Sequence, residues 1–99
     1  MAMCGGLGQI VDADDDIQEI VDKVLESVNK KTGKKYRNLT AVKYGSQVVA
    51  GTNYFVKVRT DDDNYLHLRI YQALPHTGKG PELSSVQKDK TEDDIVAYF

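Results

Sequence analysis

Apolar residues recur at steps of three and four from Ala13 onward: Ile17, Ile20, Val21, Val24, Leu25 and Val28 continue one stripe. That spacing predicts an amphipathic helix from Asp14 to about Lys31. Asp14, Asp15 and Asp16 sit at its positive end and Lys30 and Lys31 at its negative end, as the helix dipole favours. Glu19 with Lys23 and Glu26 with Lys30 add favourable four-apart pairs, and Gly33 suits a left-handed terminator. Beyond it the period falls to two. Leu39 to Gln47 reads as a first strand and Thr52 to Thr60 as a second. In the second, Tyr54, Val56 and Val58 alternate with Phe55, Lys57 and Arg59, which predicts one buried face. Asp61-Asp62-Asp63-Asn64 is a polar turn by composition. Tyr65 to Leu74 is the third strand, with Leu66, Leu68 and Ile70 on one face and His67, Arg69 and Tyr71 on the other. His67 is read there as a solvated strand residue. Pro75 ends that strand, and Gly78, Gly80 and Pro81 mark a loop. Asp94 to Phe99 reads as a short final strand. One helix and four strands predict an α+β domain, a sheet wrapped on the helix.

One stretch breaks the pattern. Gln47-Val48-Val49-Ala50-Gly51 separates two strands, yet tight turns favour Asn, Gly, Asp and Pro, and β-branched residues resist positive φ. Two valines and an alanine stand where a polar tip belongs, so apolar side chains project into water, a signature of insertion into a partner's cleft. The plainer alternative is one long strand from Leu39 to Thr60, against which Gly51 and Asn53 interrupt the run. Consecutive antiparallel hairpins then place the Val48–Ala50 and Leu74–His76 loops at the same end of the sheet. A helix packed antiparallel to the strand it feeds would start at that end as well, carrying the residues before Asp14 with it.

The chain of 99 residues is sized for one domain. Its net charge of -2 argues against nucleic acid as a partner. The lysines around Lys30-Lys31 and Lys34-Lys35-Arg37 are the cationic end of a helix. Cys4 is the only cysteine, so no internal disulfide forms, which suits a reducing compartment. No run approaches the roughly 20 apolar residues of a membrane span, and the first residues lack the blocks of a signal peptide. Asn38-Leu39-Thr40, a glycosylation acceptor, would go unused in the cytosol, the expected location. Residues 1–8 hold three glycines and two methionines and read as a flexible terminus. The aspartates before the helix lack the spacing of a calcium loop, and Gly78-Lys79-Gly80 lacks that of a phosphate loop. Neither metal nor cofactor is expected.

Gln47-Val48-Val49-Ala50-Gly51, continued by Thr52-Asn53-Tyr54-Phe55, resembles the first hairpin loop of the cystatin superfamily. Met3-Cys4-Gly5, Ile17-Gln18-Glu19-Ile20-Val21 and Leu74-Pro75-His76 extend the resemblance over nearly the whole chain, and the last is similar to the stefin branch. The resemblance implies a tight, reversible, competitive inhibitor of papain-like cysteine proteases, with cathepsins B, H, L and S or similar as partners. It also implies a fifth strand near Gln9–Val11, and a monomer able to form a domain-swapped dimer. The implied contact residues are Cys4 and Gly5 in an N-terminal arm, Gln47, Val48, Val49, Ala50 and Gly51 in the first loop, and Leu74, Pro75 and His76 in the second. Secreted relatives carry paired cysteines, which this chain lacks.

Two other functions compete. A nucleophile–base pair of Cys4 with His67 or His76 would make an enzyme, but a glycine-rich terminus cannot hold a thiol in place and no oxyanion-hole motif accompanies it. A non-inhibitory binding module could use the same fold, against which the intact loop sequences speak.

Overall fold

The computed structural model describes residues 7–99. In chain order these form β1 (Val11–Asp12), α1 (Asp15–Thr32), β2 (Leu39–Val49), β3 (Gly51–Thr60), β4 (Tyr65–Gln72), a short 3₁₀ turn (Pro75–Thr77) and β5 (Glu82–Lys90). The strands make one antiparallel sheet in the order β1-β2-β3-β4-β5, the α+β class expected from the periodicities. The helix follows its predicted bounds closely. Asp14 caps it, its Oδ1 accepting the Ile17 N–H at 3.0 Å, and Gly33 ends it at φ 71° with its N–H on the Asn29 carbonyl. Ile17, Val21, Val24 and Val28 bury the stripe against Leu39, Val56, Val58, Leu66, Leu68 and Ile70. Each such side chain contributes about 1.5–3 kcal/mol by leaving water.

The helix does not lie antiparallel to β2, as expected, but across the strands. Near its start the Gln18 amide donates to the Leu39 carbonyl at 2.7 Å and accepts the Ala41 N–H at 2.8 Å, at the opening of β2. Its last turn, at Lys31 and Thr32, borders Ser85, Val86 and Lys88 of β5. The helix therefore begins far from the β2–β3 turn. Residues before it reach that turn by another route, pairing with β2: Val11 opposes Tyr44 and Asp12 opposes Lys43.

The final strand is also not where the pattern put it. β5 spans Glu82–Lys90, and the residues after it, Asp94–Phe99 included, form no strand. The reason is a bulge. Arg69 pairs with Ser85 and Ile70 with Leu83, leaving Ser84 extra, so Leu83 and Val86, three apart, both pack on the core. Strict alternation cannot register such a strand. Residues after Lys90 instead cover the sheet face opposite the helix. Phe55 lies 5.4 Å from the Tyr98 ring and 5.7 Å from the Phe99 ring. Lys57 Nζ donates to the Glu92 carbonyl at 2.6 Å, and Arg69 Nη1 to the Phe99 carbonyl at 2.8 Å. The centre of β3 is thus buried on both faces, whereas one was expected.

His67 is the clearest correction. Under that covering segment it is only 1% exposed rather than solvated. Burial, with Lys90 and Lys57 nearby, pushes its imidazole down to about 4, although Asp94 pulls the other way. The folded protein therefore holds a neutral ring, while the unfolded chain takes up a proton below about 6.5. Stability from this group is complete above about pH 6.5 and is lost as pH falls toward 4, with a ceiling of about 3 kcal/mol. Urea midpoints measured between pH 7 and pH 4.5 should fall steeply in the natural chain and less in His67→Gln. Carboxylates held low, such as Asp62 and Asp94, lose their contribution at lower pH and do not mask this window.

Candidate functional site

The edge built around the β2–β3 turn has three components. In the first, the ladder continues almost to the tip: Gln47 pairs with Asn53, Val48 with Thr52 and Val49 with Gly51, leaving Ala50 alone between the strands. Most of the five-residue segment expected as a loop is therefore strand. Val48 is 82% exposed and Val49 46%, because the hairpin extends past the helix and no described residue covers its end. Gln47 holds the base of the hairpin, its Oε1 accepting from the Asn53 amide at 3.0 Å. Gly51 permits the bend. Its φ is +111°, and a Cβ there would lie 2.6 Å from the Gln72 carbonyl oxygen and 2.8 Å from the Tyr71 hydroxyl, contacts no side chain tolerates.

The second component continues β4, whose Gln72 is paired with Thr52. Leu74 is 41% exposed, and the chain then turns tightly through Pro75-His76-Thr77. Thr77 closes the turn, its N–H and hydroxyl both donating to the Leu74 carbonyl at 3.0 and 2.8 Å. Gln72 steadies the loop from below, its amide donating to the Ala73 and Lys79 carbonyls at 3.3 and 3.2 Å.

The third component is the segment that precedes β1. The Gly8 N–H donates to the Ser46 carbonyl at 3.0 Å, which sets Gly8 beside β2 four residues short of Ala50. Gly45 leaves room for this crossing. A Cβ at that position would stand 2.5 Å from Ile10 Cδ1, so Ile10 lies where a side chain would otherwise be. Cys4 and Gly5 fall outside the described residues.

Gln47, Val48, Val49, Ala50 and Gly51 thus share one end of the sheet with Leu74, Pro75 and His76. Gln47–Gly51 and Leu74–Pro75 hold no ionisable side chain, so the edge is apolar with neutral polar groups at its base. It offers no nucleophile and no acid–base pair among these residues. Docking would bury it without stranding a charge. Sequence pattern alone passed over Gly45, Tyr71 and Gln72, which shape this edge from behind together with Asn53, read there only as a break in the run. Only the two mid-strand polar or glycine positions, Gly45 and Asn53, carried a signal, since such residues weaken a strand unless another segment needs the space.

Comparison with known proteins bears on what such an edge does. The family described as "Cystatin domain" matches residues 5–93. The chain is 47% identical over 97 residues to Cystatin-B of Oplegnathus fasciatus, covering 98% of this chain and 97% of that one. It is 44% identical over 97 residues to Leukocyte cysteine proteinase inhibitor 1 of Sus scrofa, covering 98% and 94%. To Stefin-C of Bos taurus it is 42% identical over 95 residues, covering 96% and 94%.

Proposed function

The chain belongs to the cystatin family, on its stefin branch, and is a cysteine protease inhibitor rather than an enzyme; we propose that it inhibits by inserting the edge just described into the active-site cleft of papain-like proteases. One observation carries this reading: two neighbouring hairpin ends expose Val48, Val49 and Leu74 at one end of the sheet, with Gly8 bonded to Ser46 beside them. An elongated apolar edge suits a cleft between two lobes. Val48 and Val49 supply apolar contact beside the enzyme's nucleophile, Leu74, Pro75 and His76 contact the cleft further along, and Cys4 and Gly5 lie along the substrate-binding part of the cleft. No peptide is offered to the nucleophile for cleavage, so inhibition is competitive and reversible. Both hairpin ends are held by their own strands, and a preorganised surface loses little entropy on docking. The contact would bury about 1,600 Å², the usual protease–inhibitor size. Cathepsins of the B, H, L and S types are the proposed targets and the cytosol the proposed location. A domain-swapped dimer, opened at the β2–β3 turn, is proposed as an inactive form.

Titration of papain with the purified chain, followed with a small fluorogenic substrate, tests the reading. Stoichiometric loss of activity, recovered on dilution and relieved by excess substrate, is the expected result. Loss that substrate does not relieve would place the contact outside the cleft.

A further inference from the structure

We propose that Tyr71 is a positioning residue for inhibition, fastening the tip of the first hairpin to the strand that carries the second. This rests on the reading of that edge as the inhibitory surface. Ala50 is the sole residue between the paired ends of β2 and β3, so its carbonyl lies outside the ladder. The Tyr71 hydroxyl, from β4, donates to that carbonyl. Its ring reaches the tip only because Gly51 has no side chain: a Cβ there would be 3.0 Å from the ring's Cε1 and 2.8 Å from the hydroxyl oxygen. Tyrosine and glycine therefore interlock, one filling the space the other leaves. Tyr71 pairs with Asn53 across the ladder, and Asn53 in turn holds Gln47, so both sides of the hairpin are referred to β4. The next residue, Gln72, binds the Ala73 and Lys79 carbonyls of the second loop. Two consecutive residues of one strand thus fix the relative placement of both loops.

The consequence is kinetic. With the hydroxyl in place the tip meets its cleft already in the docked shape, and without it the bend must be ordered on binding. Removing one net hydrogen bond changes such an equilibrium by roughly three- to tenfold. Tyr71→Phe keeps the ring beside Gly51 and removes only the donor, and Tyr71→Leu removes the ring as well. In the free protein, amide exchange at Ala50 and Gly51 should quicken about three- to tenfold in Tyr71→Phe and more in Tyr71→Leu, while exchange in α1 stays unchanged. Dissociation from papain should quicken in the same order. Unchanged exchange at the tip in both variants would overturn the proposal. So would faster dissociation with normal tip exchange, which would mean that Tyr71 touches the protease itself. If the natural chain does not inhibit papain, the inhibitory reading fails, whereas the exchange measurement still reports whether Tyr71 holds the tip.

Discussion

Val48→Asp should weaken inhibition of papain by two to three orders of magnitude while leaving the melting temperature unchanged. Val48 is 82% exposed, so its replacement removes nothing from the core. In a protease cleft the same position would be desolvated. The variant then loses an apolar contact of about 1.5–3 kcal/mol and strands a carboxylate, at a further cost of several kcal/mol unless it finds a partner. About 1.4 kcal/mol corresponds to a tenfold change, so even partial burial reaches a hundredfold. Ile95 supplies the control. At 81% it is as exposed as Val48, and it sits on the segment that crosses the outer face, away from the tip. Ile95→Asp introduces the same chemistry at the same exposure and should inhibit normally. Equal inhibition by both variants would remove the hairpin tip from the contact surface. A fall in thermal stability in Val48→Asp alone would show that the tip belongs to the core after all.

The features legible in the sequence were those governed by short-range rules. An apolar stripe of period 3.6, acidic residues at one end and Gly33 past the other located α1 to within a residue. Alternation and a run of aspartates located β2, β3 and β4. What escaped notice depends on partners distant in the chain. β5 has only Leu83 and Val86 on the core, and the bulge at Ser84 places them three apart, which no strand template recognises. His67 was read as solvated because alternation assigns a face and cannot say whether something later in the chain covers it. Glu92, Tyr98 and Phe99 do so here. The helix direction failed for a related reason. Two half-buried side-chain amides set it, Gln18 on β2 at one end and Asn29 on the Tyr36 backbone at the other, and such bonds leave no periodic trace. The candidate edge was legible in part because Val48 and Val49 violate turn chemistry, and such violations concentrate at functional sites. Tyr71 violates nothing. Its role exists only because Gly51 lies beside it in the folded sheet.

The swapped dimer should not inhibit at all, and it should form at the tip whose geometry is set out above. Val48 and Val49 prefer extended backbone, and between their ladder and that of Gly51 and Thr52 only Ala50 stands unpaired. Opening this single bend makes one continuous strand of Leu39 to Thr60. β1, α1 and β2 of one chain can then pack on β3, β4 and β5 of another, and Ile17, Val21, Val24 and Val28 meet the same Val56, Val58, Leu68 and Ile70 as before. Because the core is remade, the free energies of the two forms differ little, and protein concentration sets their ratio. Exchange requires the helix to leave the sheet, so it should be slow except near the melting transition. What the dimer loses is local: the bend at Ala50, the Tyr71 hydroxyl bond to it, and with them the projecting tip. A concentrated sample warmed just below its melting temperature, then separated by size, should yield a dimer fraction without activity against papain beside a fully active monomer. Tyr71→Phe should convert faster than the natural chain under the same conditions, because one fastening of the bend is already gone. A dimer that inhibits as well per chain as the monomer would place the hinge elsewhere.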